Sequence, residues 1–280
     1  MSGYKFGTYD FCYPVIGPAA FELAGAAGYD GVCICDLGGA KRNFPLLQKR
    51  IQEMYLEAAR QYGVTIQGYQ LLQMNHPKQR YEHFSPGSPE GELGRLSVSR
   101  AAEICAAMRI PFVKIETTGM FDGDDKRNVL ENYKAYARIC EEAGVRLLIE
   151  TDMTLTRLCD FLDSVGHGLR ACVDTSDILR YGTGDPAQVI TSLGRERIGL
   201  IQMKDSRMNR YGYITARSDL AAPLGQGDSR LEEAARAVRD IGYDGWIFAK
   251  SVVYLDGFAG QDYIALGKSD VAALRRAYLS

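Results

Sequence analysis

Four short apolar runs in the second half of the chain each end on polar side chains: VRLLIET at 145–151, LRACVDTSD at 169–177, IGLIQMKD at 198–205 and GWIFAKS at 245–251. In the first, period-two alternation puts Arg146, Leu148 and Glu150 on one face and Leu147, Ile149 and Thr151 on the other. If one face meets covering helices and the other a barrel interior, Glu150 sits at the C-terminal mouth. A polar residue at the end of each of several parallel strands is how a (β/α)8 barrel builds its site.

The rest of the chain supplies the remaining units. Alternating and apolar patterns predict strands at Tyr4–Cys12, Tyr29–Asp36, Val64–Gln70, Pro111–Thr117, Val145–Thr151, Ala171–Thr175, Ile198–Lys204 and Trp246–Val252. Helical spacing and stop signals predict helices at Phe21–Ala27, Phe44–Tyr62, Gly91–Met108, Lys126–Ala143, Leu155–Val165, Ala187–Leu193, Leu231–Ile241 and Asp270–Leu279. Strict alternation of strand and helix predicts an α/β fold, a (β/α)8 TIM barrel, as a single domain over residues 1–280. That length suits the roughly 250 residues of such a barrel. Two polar segments, 71–90 and 205–228, are too long for simple turns, and loops of that kind inside compact domains are usually functional or disordered.

Composition removes several classes of function. The chain is 46% hydrophobic and 24% charged with a formal net charge of -2, so no general basic field attracts nucleic acid and no such partner is expected. Seven cysteines, an odd number, fall mainly inside expected strands and helices, which reads as reduced packing thiols rather than a disulfide framework. The opening MSGYKFGTYD has no apolar signal core, and no run approaches about 18 apolar residues. A cytoplasmic location without a membrane partner is therefore expected, and no nucleotide cofactor.

Four pieces of the chain resemble the xylose-isomerase-like barrels, a family of sugar and sugar-phosphate isomerases and epimerases, inosose dehydratases and hydroxypyruvate isomerases. AGAAGYDGVCI at 24–34 resembles the entry to the family's second strand, RLLIET its first ligand strand, and ACVDTSD its second. IQMKD followed by PLGQGD, and then GYDGWIFAKS, resemble its closing section. The resemblance implies a divalent metal, Mn or Mg, held by a Glu, an Asp, a His and a second Glu from strands five to eight. Glu150 and Asp174 match the first two, whereas Gln202 stands at the His position and Lys250 at the second Glu. Asp177 replaces the family's substrate-binding His, Gln226 a common Glu in PLGQGD, and Cys33 a common Glu in the second strand. A carbohydrate-like small-molecule substrate and a homodimer or homotetramer are also implied. With three His, the chain lacks the ligands of the barrel endonucleases that resemble this family.

Charge sharpens these departures. Glu150, Asp174 and the amide oxygen of Gln202 form a hard oxygen set, and they are the metal ligands if a metal is bound at all. The Lys250 ammonium has no lone pair to offer and repels the ion. Either Lys250 swings aside or is neutral, or its ammonium occupies the metal's space and pairs with Glu150 and Asp174. A Lys beside carboxylates stays charged and serves as a fixed electrophile rather than a base.

Glu150, Lys250 and Asp174 are thus the catalytic candidates, and Asp177, Gln202, Glu116, His76, Arg207 and Arg217 the substrate-binding ones. Glu116 shares a strand face with Lys114 in KIETTG, His76 lies in the third loop, and the two arginines can clamp an anion from the seventh loop. Each also has a structural reading: strand-end acids pair with Arg146 or Lys204, Asp177 and Asp205 cap the next segment, and loop charges are solvated. The expected function is an isomerase or epimerase acting on a sugar or related hydroxy-carbonyl compound by proton transfer next to the carbonyl. The alternatives are a metal-independent lyase or aldolase using Lys250 through a Schiff base, or a catalytically lapsed sugar-binding barrel.

Overall fold

The computed structural model describes residues 3–15, 17–75, 79–119 and 124–279. Its strands are β1 (Lys5–Tyr9), β2 (Gly31–Cys35), β3 (Thr65–Gln70), β4 (Phe112–Thr117), β5 (Arg146–Thr151), β6 (Arg170–Asp174), β7 (Ile198–Met203), β8 (Asp205–Ser206), β9 (Ala221–Ala222) and β10 (Trp246–Ala249). Eight of them close a barrel in the order β1-β10-β7-β6-β5-β4-β3-β2, and β8 and β9 form a separate antiparallel pair. The helices are α1 (Ala19–Ala27), α2 (Lys49–Tyr62), α3 (Pro89–Met108), α4 (Asp124–Glu142), α5 (Leu155–Val165), α6 (Thr175–Tyr181), α7 (Pro186–Arg197), α8 (Leu231–Asp240) and α9 (Tyr263–Leu279).

Local chemistry sets the helix ends. The Ser88 hydroxyl accepts from the Gly91 amide at 3.1 Å, with Pro89 as first helical residue of α3. Asp185 accepts from the Gln188 amide at 3.1 Å ahead of Pro186 in α7. α1 stops at Gly28, which takes the left-handed conformation at φ 92°.

Several elements differ from expectation for identifiable reasons. Asp10–Cys12, expected inside the first strand, is a 3₁₀ turn. Thr175, expected at the end of the sixth strand, opens α6, because the Asp174 carboxylate turns back to accept from the Ser176 and Asp177 amides. α7 runs from Pro186 to Arg197, past the expected end at Leu193, across a break at Gly194, whose φ of 66° and ψ of 169° leave the helical path. β10 ends at Ala249 rather than Val252, though the Lys250 amide still donates to the Met203 carbonyl at 2.8 Å. The last helix begins at Tyr263, seven residues before its expected start at Asp270.

Contacts divide the chain into two units, Met1–Cys33 with Ala58–Thr65 and Val173–Ser280, and Ile34–Glu57 with Ile66–Cys172. In the first unit, Gly7 is required by packing, since a Cβ there would lie 2.4 Å from the Phe248 ring. In the second, register sets the polar layers: Gln70 pairs with Lys114, Lys114 with Leu148, and Glu116 with Glu150. All seven cysteines are free thiols, and six are buried. Among the described residues no helix is long and apolar enough to cross a membrane.

Candidate active site

In the first unit the polar groups converge on Asp174, the last residue of β6. Its Oδ1 accepts from the Ser176 amide at 3.1 Å and the Asp177 amide at 3.0 Å. Its Oδ2 accepts from Gln202 Nε2 at 3.0 Å and from Lys250 Nζ at 3.1 Å. Four donors match the four lone-pair sites of a carboxylate. Gln202, on β7, is fixed at its other end, where its Oε1 accepts from the hydroxyl of Tyr9. Lys250 also lies 4.0 Å from Asp177 Oδ2, and Asp177 Oδ1 receives Lys204 at 3.2 Å and Arg180 at 3.6 Å. Lys250, Asp174 and Asp177 are all buried, so the low local dielectric favours ions that are paired.

Two neighbours are structural. Burial pushes the Cys12 thiol up to about 12, with the Tyr9 backbone hydrogen bond and the Lys250 charge opposing it only in part; such a thiol is inert as a nucleophile. Asp205 spends both oxygens on backbone: Oδ1 accepts from the Ser206 and Ser229 amides at 2.9 and 3.0 Å, and Oδ2 from Gly225 and Gly227 at 2.9 and 3.0 Å. It ties the PLGQGD turn to β8, which is the capping reading of that residue.

In the second unit, Lys114 on β4 is wholly buried and donates its ammonium to Glu150 Oε2 on β5. Sequence reasoning grouped Lys114 with Glu116 because the two share a strand face. The parallel register instead sets Glu116 opposite Glu150, and Glu116 accepts from Asn75 Nδ2 at 2.8 Å. Lys114 was missed as a site residue; its signal was a lysine in the middle of a strand with apolar neighbours, a position that is costly unless the charge is matched.

The remaining candidates are dispersed. His76 lies outside the described residues. Arg207 is exposed, and its backbone amide donates to Leu220 O at 2.7 Å. Arg217 is exposed and forks onto Asp219 at 2.9 and 2.6 Å.

Strand order, helix cover and polar strand ends define a class, and the chain belongs to it: it is a member of the xylose isomerase-like TIM barrels, whose family model matches residues 21–252. No curated protein matches it by sequence. Among solved structures it is similar to a D-psicose 3-epimerase from Clostridium cellulolyticum H10 with D-tagatose, at 16% identity and a TM-score of 0.76, covering 98% of each chain. It is similar to the IolI protein with a bound zinc atom at 12% identity and a TM-score of 0.74, covering 98% of this chain and 97% of that one. A xylose isomerase-like TIM barrel/4-hydroxyphenylpyruvate dioxygenase fusion protein matches at 15% identity and a TM-score of 0.70; 99% of this chain is covered, but it spans only 43% of the fusion.

The resemblance implies a divalent ion, and Glu150 in the second unit, like Asp174 and Asp177 in the first, is a buried acid that could offer an oxygen to one. Their partners do not fit it. Asp174 already has four donors, one of them an ammonium. The oxygen of Gln202 is taken by Tyr9, Asp177 carries Lys204, and Glu150 carries Lys114. Each of these carboxylates carries a lysine ammonium on one oxygen, a positive charge with which a divalent cation would compete.

Proposed function

We propose that this chain is a sugar isomerase or epimerase, one domain over residues 1–280, that moves a proton next to the carbonyl of a small hydroxy-carbonyl compound. Membership of the xylose isomerase-like barrels supports the reaction class, and similarity to the solved D-psicose 3-epimerase with D-tagatose supports the substrate class. The observation that carries the mechanism is the Lys250 ammonium held 3.1 Å from Asp174, at the position where the family places an acidic ligand. Proton abstraction next to a carbonyl builds negative charge on the carbonyl oxygen, and a fixed donor in a dry site stabilises it. Lys250 is that donor. Asp174, locked by four hydrogen bonds, positions the ammonium, and Glu150 is the carboxylate that moves the proton. Asp177, Gln202, Glu116, His76, Arg207 and Arg217 are proposed as substrate contacts.

The test is turnover of ketoses and aldoses by chelator-treated protein, with Lys250→Met alongside. Activity that survives the chelator and falls at least about a hundredfold in Lys250→Met supports the reading, since one preorganised oxyanion donor contributes on that order. Activity that appears only on adding Mn2+ overturns it. A borohydride-trapped adduct on Lys250 would mean Schiff-base chemistry instead, and sugar binding without turnover in either form would mean a binding protein.

A further inference from the structure

A buried side-chain amide without a partner is an expensive thing for a fold to carry, and β3 ends on one. Gln70 is fully buried, and among the described residues neither its Nε2 nor its Oε1 has a hydrogen-bond partner. Its backbone is in order: the Gln70 carbonyl accepts from the Asp36 amide at 3.1 Å, and the next residue, Leu71, donates to the Lys114 carbonyl at 3.0 Å. The amide is therefore not displaced by a local distortion. In parallel register with Lys114 it lies on the same sheet face, yet the Lys114 ammonium is turned to Glu150. Glu116, two residues further along β4, is bound by Asn75 through its nitrogen at 2.8 Å, and the Asn75 Oδ1, shielded from solvent, has no partner among the described residues. Gln70 thus offers an amide oxygen and an amide nitrogen, and Asn75 an amide oxygen beside the Glu116 carboxylate; Lys114, the register partner of Gln70, and Glu116 are two residues apart, roughly 7 Å along β4.

We propose that Gln70, Asn75 and Glu116 form a subsite for the neighbouring hydroxyls of a neutral sugar. The reasoning is one of matching inventories. A hydroxyl both donates and accepts, so a pair of them satisfies an amide oxygen and an amide nitrogen together. Among the described residues the cation in register with Gln70, Lys114, is engaged by Glu150, so the group offers partners for hydroxyls rather than an ammonium for a phosphate. The subsite rests on the sugar-processing reading above and sets its substrate class as unphosphorylated.

Calorimetric binding of a neutral ketohexose and of its 6-phosphate, to wild type and to Gln70→Leu, tests it together with thermal melting of both proteins without ligand. Leu has a similar volume and no polar atoms, so the substitution is expected to raise the melting temperature by a few degrees, because it removes an unpaired buried amide. It is also expected to weaken the neutral ketohexose at least about tenfold, as a site built to hydrogen-bond a hydroxyl loses that contact. A lower melting temperature, or a variant that does not fold, overturns the proposal by showing that the amide holds the fold together. Unchanged ketohexose affinity, or preference for the 6-phosphate, also overturns it. If wild type binds neither probe, the sugar reading itself fails, and the subsite falls with it.

Discussion

The Asp174 cluster and the group around the buried Gln70 are both polar, yet they are built in opposite ways. Around Asp174 the carboxylate has four donors and Gln202 is tied at both ends. Around Gln70, among the described residues, an amide carries no partner and the Asn75 side chain is bonded through its nitrogen only. A saturated cluster sustains its own geometry, whereas an unsaturated one is stable only because the surrounding fold tolerates the cost. The first holds a charge ready; the second waits for hydroxyls.

The largest expected effect concerns the buried pair in the second unit. Lys114→Met leaves Glu150 without its ammonium, and removing one partner of a buried ion pair costs about 3–5 kcal/mol. The double variant Lys114→Met/Glu150→Leu, which replaces both charges by apolar groups, recovers most of that loss. Urea unfolding of the two variants checks this. A single variant as stable as wild type would show that the pair is open to solvent.

A smaller change of sharper contrast is Gln202→Leu. It strips Tyr9 of its acceptor and Asp174 of one donor, and leaving buried groups unpaired costs about 1–3 kcal/mol. The same chemical substitution at Gln70 is expected to change stability in the opposite direction. Two Gln→Leu melts of equal sign would dissolve the distinction between a closed and an open cluster.

These regions were unequally legible in the sequence. Glu150, Asp174, Gln202 and Lys250 were visible because each ends an apolar run, and polarity at a strand end does not depend on long-range detail. Gln70 ends its strand in the same manner, but VTIQGYQ alternates, so its last residue read as a boundary rather than a site. Lys114 was visible only as an oddity, since its partner is set by the register between β4 and β5 and not by spacing along β4. α6 was missed because seven residues give too little periodicity, and the capping role of Asp174 was concealed behind its candidacy as a ligand. Strand and helix order is local information; who pairs with whom across strands is not.

Glu82 shows what an unsaturated acid does to the whole molecule. Its Oε1 accepts from the Thr117 hydroxyl at 3.1 Å and lies 3.8 Å from His83 Nε2, while its Oε2 has no partner among the described residues. Burial pushes its carboxyl from 4.5 up to about 7, against smaller lowering by backbone and Thr117 hydrogen bonds and by the Arg80 charge. The folded protein thus holds this proton more tightly than the unfolded chain does. The stability it contributes is fully present below pH 4.5 and is lost as pH rises through about 7. Glu82→Gln mimics the protonated acid, so it should melt like wild type at pH 4.5 and higher than wild type at pH 8. Asp270, pushed by burial to about 6, slopes the same way, so the substitution flattens the decline between those values without abolishing it. Melting curves that run parallel across that range would mean that Glu82 is ionised in the fold, which only a partner for Oε2 could bring about.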